Sequence, residues 1–237
     1  MVNLQSIWYI GAEHINNSGA TNGRPALKLI GKEFYMLAEM KKYARYNWIP
    51  VILDDSLELL KVILKCKKPK NILEIGTAIG YSSACFSKYL EPDGKIDTIE
   101  IDNKMYLIAK ANIKMLELQD KINVIKGDAI DVLPTLSKKY DIIFIDGPKS
   151  HYIEYLPLCI NLLADGGIII ADNVIYKGMV TGDYNEHKQR TAVNKLREFI
   201  TVVEEDTKLN SVLLNIGDGV MLISKSKDNI LMEGLIK

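Results

Sequence analysis

Apolar residues in the first third of the chain recur at helical spacing. Between residues 27 and 46 they include Phe34 and Leu37, with lysine and glutamate on the opposite face. This is the pattern of an amphipathic helix, and Pro50 ends it. A second helical pattern follows Asp54, whose side chain we expect to cap the helix N-terminus. The sequence therefore predicts two helices before the first strand.

From residue 71 onward, apolar runs alternate with helical patterns. The runs DIIFID and GGIIIAD are continuous, as in strands whose two faces are both buried. Alternation of such strands with helices predicts a parallel sheet covered by helices on both faces. We expect strands at residues 71–75, 95–100, 121–126, 140–145 and 167–171, and helices at residues 82–90, 103–118, 129–137, 152–163 and 189–203.

The C-terminal region has a different pattern. The run NSVLLNIGDGVMLISKSK contains two β-rich segments around Gly217-Asp218-Gly219, a strong signal for a hairpin. An antiparallel hairpin of this kind closes one edge of a parallel sheet. We therefore predict an α/β fold: a doubly wound, mostly parallel seven-stranded sheet with an antiparallel C-terminal hairpin and helices on both faces.

Composition separates an N-terminal arm from the rest of the chain. Residues 1–26 are rich in Asn, Gly and Ser, which predicts a flexible arm, and residues 27–237 are expected to form one domain. Lys and Arg total 30, as do Asp and Glu, so no overall field attracts nucleic acid or a membrane. No stretch approaches the ~20 apolar residues of a membrane span. The three cysteines lie far apart, as in a cytoplasmic protein with reduced thiols.

The stretch NILEIGTAIGYSS, residues 71–83, is the candidate binding loop. Its buried strand runs into Gly76 and Gly80, which carry no Cβ, so the backbone can turn sharply and approach a bound group. The next helix presents its first unpaired N–H groups to the same place. A nucleotide-like ligand and a purely structural turn both stay open. The spacing Gly76-x-Ala78-x-Gly80 departs from the GxGxxG register of dinucleotide binders.

Acidic side chains stand at the ends of the predicted strands. Because the carboxyl ends of parallel strands meet at one edge of a sheet, we expect one acidic rim. Glu100 is placed to accept hydrogen bonds from ribose hydroxyls, which NAD and S-adenosylmethionine (SAM) share, or is a solvated strand end. Asp128 and Ala129 flank an adenine, or Asp128 caps a helix. The acids of this rim are Glu74, Glu100, Asp102, Asp128, Asp146 and Asp172.

Three oxygen-bearing side chains in this rim form a candidate metal site. Asp146, Asp172 and Asn173 follow two of the predicted strands, with no His or Cys directly beside them. Such donors suit a hard cation like Mg²⁺, and a cation would relieve the repulsion between the carboxylates. The alternative is that Asp172 and Asn173 cap the next turn.

The order of these motifs resembles a known family. LEIGTAIGYSS, TIEID, GDA, FIDGPKSHY and IIIADNV occur here as in the metal-dependent class I SAM O-methyltransferases, which include catechol and caffeoyl-CoA O-methyltransferases. The resemblance covers residues 40–224 and implies a Rossmann-like domain. KKYARYNWIPVI, ADNVIYKGMV and NIGDGVMLIS look most like bacterial tRNA 5-hydroxyuridine methyltransferases. The GPK after Asp146 departs from the more usual AAK or AQK.

The resemblance implies roles for individual residues. SAM and Mg²⁺ are the implied cofactors, and Lys149 matches a lysine that acts as the base in catechol enzymes, although a solvent-facing lysine is the alternative. Asp146 would lie by the methionine end of SAM and also bind the metal, completed by Asp172 and Asn173. The implied cofactor contacts are Ile52, Gly76 and Ser82 near the methionine part, Glu100 at the ribose, and Asp128 and Ala129 at the adenine.

The resemblance also implies an acceptor, the 5-hydroxyl of 5-hydroxyuridine at the wobble position in a tRNA anticodon loop, and a homodimer. Basic residues that can meet RNA phosphates lie between the fifth predicted strand and the C-terminal hairpin. Two alternatives stay open: a small hydroxylated aromatic acceptor with the same cofactors, and a SAM- or nucleotide-binding module without catalysis. The basic residues are Lys177, Lys188, Arg190, Lys195 and Arg197.

Overall fold

The computed structural model describes residues 31–182 and 190–226. The predicted arm, residues 1–26, lies outside these ranges, as do residues 27–30, Lys188 and residue 189. The division of the chain at residue 26 therefore stays a prediction. Within the described residues the helices are α1 (Lys32–Tyr46), α2 (Asp54–Lys67), α3 (Tyr81–Phe86), α4 (Asn103–Met115), α5 (Ala129–Val132), α6 (Tyr152–Leu162) and α7 (Arg190–Glu205).

The described strands form one sheet and confirm the predicted α/β architecture. Seven strands within these ranges lie in the order β3-β2-β1-β4-β5-β7-β6. Strands β1 to β5 pair in parallel, and β7 pairs antiparallel with both β5 and β6, which is the predicted hairpin. The strands are β1 (Asn71–Ile75), β2 (Lys95–Glu100), β3 (Ile122–Lys126), β4 (Tyr140–Ile145), β5 (Leu163–Asp172), β6 (Leu209–Leu214) and β7 (Val220–Lys225).

Alternate residues of the central strands pack into two separate apolar clusters. In β4, Ile143 and Ile145 belong to the cluster covered by α6 and α7, whereas Ile142 and Phe144 belong to the cluster covered by α1 to α4. Successive side chains of a strand point to opposite faces, so continuous apolar strands require helices on both sides. The doubly wound arrangement follows directly from this pattern.

Several element ends differ from the predicted ones for local reasons. Asp54 is the first residue of α2 and Leu53 is its N-cap, so the predicted capping role of Asp54 is wrong. The short helices α3 and α5 each tighten into a 3₁₀ turn, Ser87–Tyr89 and Leu133–Thr135. Strand β5 starts four residues early, because Leu163 pairs with Tyr140 before an irregularity in the ladder.

The fold brings the carboxyl ends of the parallel strands to one edge. Strand β1 lies between β2 and β4, and the strand order reverses there: the chain runs from β1 through β2 to β3 on one side and then crosses to β4 on the other. Crevices that bind ligands form at such a reversal of strand order. No helix in the described part of the chain is long and apolar enough to cross a membrane.

Candidate active site

A cavity of about 1070 Å³ opens at the carboxyl ends of the parallel strands. Its wall includes most of the residues that the sequence singled out. Ile52, Ser82 and Asp172 are instead buried and do not line it. The predicted cofactor, catalytic and metal residues that line the cavity are Gly76, Glu100, Asp128, Ala129, Asp146, Lys149 and Asn173.

Gly76 marks the point where the ends of β1 and β4 touch. Its φ is +102°, and a Cβ built there would overlap the carbonyl oxygen of Asp146. The amide of Gly76 donates to the carbonyl of Ile99, 3.0 Å away, which ties the loop to β2 as well. Glycine is therefore needed here to let three strand ends converge, and the residue also lines the cavity. The structural role of this turn is therefore confirmed, and the binding of a ligand by the loop stays a prediction.

Glu74 lies beneath the binding loop, not on its rim. The side chain is fully buried, and its carboxylate accepts hydrogen bonds from the hydroxyls of Ser82, Ser83 and Thr98. Burial raises the pKa of Glu74 to about 7, although these three hydrogen bonds favour the charged form. The expectation that Glu74 belongs to the acidic rim is wrong, because Glu74 does not line the cavity. The contact between Ser82 and the methionine part of SAM stays a prediction.

Glu100 is a fixed hydrogen-bond acceptor at the cavity wall. The backbone N–H of Ala78 donates to Oε2 and that of Asp102 donates to Oε1, both at 2.7 Å. Glu100 is only 7% exposed, and burial raises the pKa of its carboxyl group. It is therefore not a solvated strand end. Each carboxylate oxygen keeps a further lone pair with which it can accept a hydrogen bond from a ligand hydroxyl.

Asp128 has the capping role that the sequence left open, and its contact with an adenine stays a prediction. It is the N-cap of α5, where Oδ1 accepts a hydrogen bond of 3.0 Å from the amide of Ile130. It also lines the cavity together with Ala129. A capping carboxylate held in this way has a defined orientation beside the cavity.

Lys149 stands at the centre of a group of oxygen atoms. Its Nζ donates to Oδ1 of Asp146 at 3.0 Å, to Oδ1 of Asn173 at 3.1 Å and to Oη of Tyr152 at 2.6 Å. A weaker contact of 3.3 Å reaches the backbone carbonyl of Asp172. The side chain of Lys149 is 13% exposed, so the alternative of a solvent-facing lysine is wrong.

Tyr152 was not singled out from the sequence, although it is the last residue of the motif FIDGPKSHY. It is buried, and its hydroxyl donates towards the carbonyls of Ile145 and Asp172 at 3.0 and 2.9 Å. Burial and then the charges of Asp146 and Asp172 raise the pKa of Tyr152 well above its usual value. The phenol therefore stays protonated and uncharged, and its oxygen accepts the hydrogen bond from Nζ of Lys149.

Asp172 carries a buried carboxylate with unmet hydrogen-bonding capacity. Its Oδ1 accepts from the hydroxyl of Ser56 at 3.1 Å and from the amide of Asn173 at 2.9 Å. Among the described residues, Oδ2 has no hydrogen-bond partner. Burial and the nearby charge of Asp146 raise the pKa of Asp172 to about 6. Ser56 lies 116 positions away, so no sequence pattern indicates this contact.

The oxygen donors around Asp172 fit a hard cation, which would give Oδ2 a partner and offset the repulsion between two carboxylates. Across residues 31–182 and 190–226, however, no three His, Cys, Asp or Glu side chains are grouped so that they could hold a metal. The predicted set consists of two carboxylates and the amide of Asn173, and Lys149 contacts Asp146 and Asn173. Mg²⁺ therefore stays a prediction.

The mouth of the cavity has aromatic and basic side chains. Trp48, which the sequence analysis gave no role, lines it and is 94% exposed. Tyr176, Lys104 and Lys177 line it too. His151 also lines the cavity and pairs with Glu154, outside the group around Lys149. The cavity thus combines an acidic inner wall with a mouth suited to flat, polar ligands.

The predicted phosphate contacts are only partly brought to this mouth. Lys177 lines the cavity, but Arg190, Lys195 and Arg197 do not. Lys195 pairs with Glu198 at 2.8 Å, and the guanidinium of Arg197 donates to backbone carbonyls. Lys188 lies outside the described residues.

Comparisons with known proteins identify the family of this chain. The profile of a family described as O-methyltransferase matches residues 31–226. A catechol O-methyltransferase of Niastella koreensis is 34% identical over 161 residues, which cover 66% of this chain and 72% of that protein. A caffeoyl-CoA O-methyltransferase of Stellaria longipes is 32% identical over 174 residues, which cover 69% and 71%.

A solved structure supports the fold. The O-methyltransferase of Bacillus cereus in complex with S-adenosylhomocysteine superimposes with a TM-score of 0.73 at 26% identity. The match covers 81% of this chain and 91% of that one.

Proposed function

Since the chain belongs to the O-methyltransferase family, we propose that it methylates the 5-hydroxyl of 5-hydroxyuridine at the tRNA wobble position, giving 5-methoxyuridine. It is a SAM-dependent O-methyltransferase of the catechol and caffeoyl-CoA type. The observation that carries the choice of acceptor is the mouth of the cavity, where the 94% exposed ring of Trp48 meets solvent.

An unpaired RNA base suits this mouth for two physical reasons. Proteins bind splayed-out bases by stacking them on exposed aromatic rings and by placing cations near the flanking phosphates. Trp48 and Tyr176 offer rings, and Lys104 and Lys177 offer ammonium groups, at the same cavity. The motifs KKYARYNWIPVI and NIGDGVMLIS, parts of which line the cavity, support the same acceptor.

The inner wall supplies the groups that the reaction needs. Transfer joins the acceptor oxygen to the methyl carbon while the carbon–sulfur bond breaks, and the acceptor hydroxyl must lose its proton. Lys149 lines the cavity with its Nζ beside Asp146 and Asn173, and we assign it the role of the general base that receives that proton. Glu100 is held by two backbone amides. Its carboxylate accepts hydrogen bonds from the ribose hydroxyls of the cofactor.

The metal is part of this proposal. Asp146, Asp172 and Asn173 would hold Mg²⁺, which would supply a Lewis acid that favours the ionised form of the acceptor hydroxyl. The protein's own contribution is to fix these oxygen atoms: Ser56 orients Asp172, and Lys149 orients Asp146 and Asn173. The prearranged donors lower the cost of reorganisation during the reaction.

A small hydroxylated aromatic acceptor is the second candidate. It is favoured by the relatives named catechol and caffeoyl-CoA O-methyltransferases. An aromatic ring bearing a hydroxyl would use the same inner wall, and Trp48 would stack on that ring instead of on a base. The two candidates differ in whether the acceptor extends out of the mouth as a nucleic acid.

Two further properties are proposed on the resemblance: the protein is a homodimer, and it works in the cytoplasm, where tRNA is modified. Sedimentation of the purified full chain tests the first property, since a species at the monomer mass would contradict it.

The acceptor is tested directly by two measurements. The purified full chain is incubated with SAM, Mg²⁺ and one acceptor at a time. The three acceptors are an anticodon stem-loop RNA that bears 5-hydroxyuridine, catechol, and caffeoyl-CoA. We expect methylation of the RNA, and we expect a deletion strain to lose 5-methoxyuridine and accumulate 5-hydroxyuridine. Methylation of catechol or caffeoyl-CoA with no methylation of the RNA would replace this proposal with the second candidate.

A further inference from the structure

The loop that follows Asn173 forms a wall of the cavity in an unusual conformation. Residues 173–182 connect the end of β5 to the chain before α7, and they bring Tyr176 and Lys177 to the cavity. The φ angles of Asn173, Tyr176 and Lys177 are +57°, +50° and +57°, in the left-handed region that side chains rarely adopt. Such a conformation persists only where the surroundings hold it in place.

Packing alone gives this loop limited support. A second cavity, of about 580 Å³, is lined by Ile175, Lys177, Gly178 and Thr181, so the loop has space on two sides. Val174 is the one fully buried residue of the loop, whereas Tyr176 and Val180 are only partly buried against the core. Hydrogen bonds must therefore contribute much of what determines the position of the loop.

The turn between β6 and β7 holds the first half of the loop. The amide of Ile175 donates to the carbonyl of Asp218 at 2.9 Å, and the amide of Val174 donates to the carbonyl of Gly219 at 3.0 Å. The amide of Lys177 donates to the carboxylate of Asp218. A Cβ at Gly219 would overlap the side chain of Ile175, so the two segments are in close contact.

Arg197, on α7, holds the second half. Its Nε donates to the carbonyl of Val180 at 3.0 Å, and its Nη2 donates to those of Met179 and Gly182 at 3.2 and 2.7 Å. Three carbonyls of one short loop thus converge on one guanidinium. The planar, fork-shaped donor set of arginine suits such an arrangement, which a lysine ammonium reproduces only in part.

We propose that Arg197 and Asp218 are positioning residues for acceptor binding. They hold residues 174–182 in the conformation that places Tyr176 and Lys177 in the cavity wall beyond Asn173. Neither residue would touch the reacting atoms. The inference rests on the proposed function in one respect: it assumes that the acceptor binds against this wall of the cavity. It holds whether the acceptor is an RNA base or a small aromatic molecule. It replaces the expectation that Arg197 meets phosphates.

The first test separates acceptor binding from cofactor binding. Arg197→Met and Arg197→Lys are assayed as full chains with the RNA, catechol or caffeoyl-CoA, whichever the unaltered protein methylates, and SAM affinity is measured by calorimetry. We expect Arg197→Met to raise the acceptor KM by about 10-fold while kcat and the SAM Kd change less than about 3-fold. Arg197→Lys should recover part of the loss.

Lys208→Met is the control for the loss of a positive charge, because Lys208 is exposed just after the same helix and does not line the cavity. It should leave the acceptor KM unchanged. If Arg197→Met has an unaltered acceptor KM, or if its SAM Kd rises in parallel, the inference is overturned. Methylation of catechol but not RNA would remove the proposed function and leave this test intact.

A second measurement does not need an acceptor. Trypsin cleaves after Lys177, and native-state cleavage there reports how firmly the loop is held. We expect cleavage to be at least about 10-fold faster in Arg197→Met, and faster in Asp218→Ala than in Asp218→Asn, since an asparagine oxygen still accepts from the amide of Lys177. Cleavage at the unaltered rate in both Arg197→Met and Asp218→Ala would contradict the inference.

Discussion

Lys149 Nζ lies 3.0 Å from Oδ1 of Asp146, the residue three positions before it. The pair stands at the inner wall of the cavity, and the same nitrogen also reaches the amide oxygen of Asn173. The amine of Lys149 is thereby held within hydrogen-bond distance of Asp146 and Asn173, two of the three predicted metal ligands. The geometry joins the predicted base and the predicted metal ligands into one unit.

Replacing Lys149 tests its role as the base. Lys149→Met removes the amine, and general-base catalysis typically contributes about 10²- to 10⁴-fold, so we expect kcat to fall by that order. SAM affinity should stay within about 3-fold, because Lys149 contacts the predicted cofactor residue Asp146 at the methionine end but not Glu100 or Asp128, the predicted ribose and adenine residues. Steady-state kinetics and calorimetry measure the two quantities.

Lys104→Met controls for the loss of positive charge, since Lys104 also lines the cavity but stands away from Asp146. It should keep most of its kcat. Equal losses in both variants would mean that the charge of the cavity, not proton transfer, explains the effect.

Asp172→Asn tests the metal. Removing one of two carboxylates should weaken Mg²⁺ binding by at least about 10-fold, measured by calorimetry with MgCl₂ alone. The Oδ2 of Asp172 is buried without a hydrogen-bond partner among the described residues, and burial raises the pKa of this carboxyl to about 6. In EDTA the variant should therefore melt a few degrees higher than the unaltered protein, because a buried charge has been removed.

Asp165→Asn is the matched control for the metal test, as Asp165 is an exposed acid on the same strand. It should change neither Mg²⁺ binding nor the melting temperature in EDTA. Full methyl transfer by the unaltered protein in EDTA would show that the reaction needs no divalent cation.

Gly76→Ala tests the convergence of strand ends. The added Cβ would overlap the carbonyl of Asp146, and φ at this position is +102°. We expect the free energy of unfolding to fall by about 2–4 kcal/mol, measured by urea denaturation. Gly166→Ala has a similarly unfavourable φ of +68° but meets no atom closer than 3.9 Å, so it should cost only about 1 kcal/mol. Equal losses would assign the whole effect to backbone strain.

Glu74→Gln tests the buried carboxyl beneath the loop. Burial raises the pKa of Glu74 from 4.5 to about 7, so between these values the native state binds more protons than the unfolded state. The free energy of unfolding therefore falls as the pH rises through this window, by of the order of 2–3 kcal/mol. The variant cannot ionise, and the rotatable hydroxyls of Ser82 and Ser83 can adapt to its amide.

Urea denaturation between pH 5 and 8 should therefore give a flatter curve for Glu74→Gln than for the unaltered protein. Other titrating groups contribute equally to both proteins and cancel in the comparison. Glu204→Gln, at an exposed position on α7, should follow the unaltered curve. Parallel curves for Glu74→Gln would show that the carboxyl is not the source of the slope.

The strand pattern was predictable wherever local sequence decides it. The ends of β1, β2 and β4 agree with the predictions because each is a continuous apolar run bounded by turn residues. The start of β5 was missed because Leu163 becomes a strand residue only by pairing with Tyr140. The last turns of α3 and α5 were placed in regular helix, but they tighten into 3₁₀ geometry.

The sequence by itself determined the architecture and the acids at the strand ends, because side-chain periodicity dictates which faces are buried and parallel strands all end at one edge. Only the tertiary structure decided what each polar group contacts. Glu74 is turned under the loop, Asp172 meets Ser56 from 116 positions away, and Arg197 binds the carbonyls of a distant loop. Such contacts depend on distances between elements, which no local pattern of residues encodes.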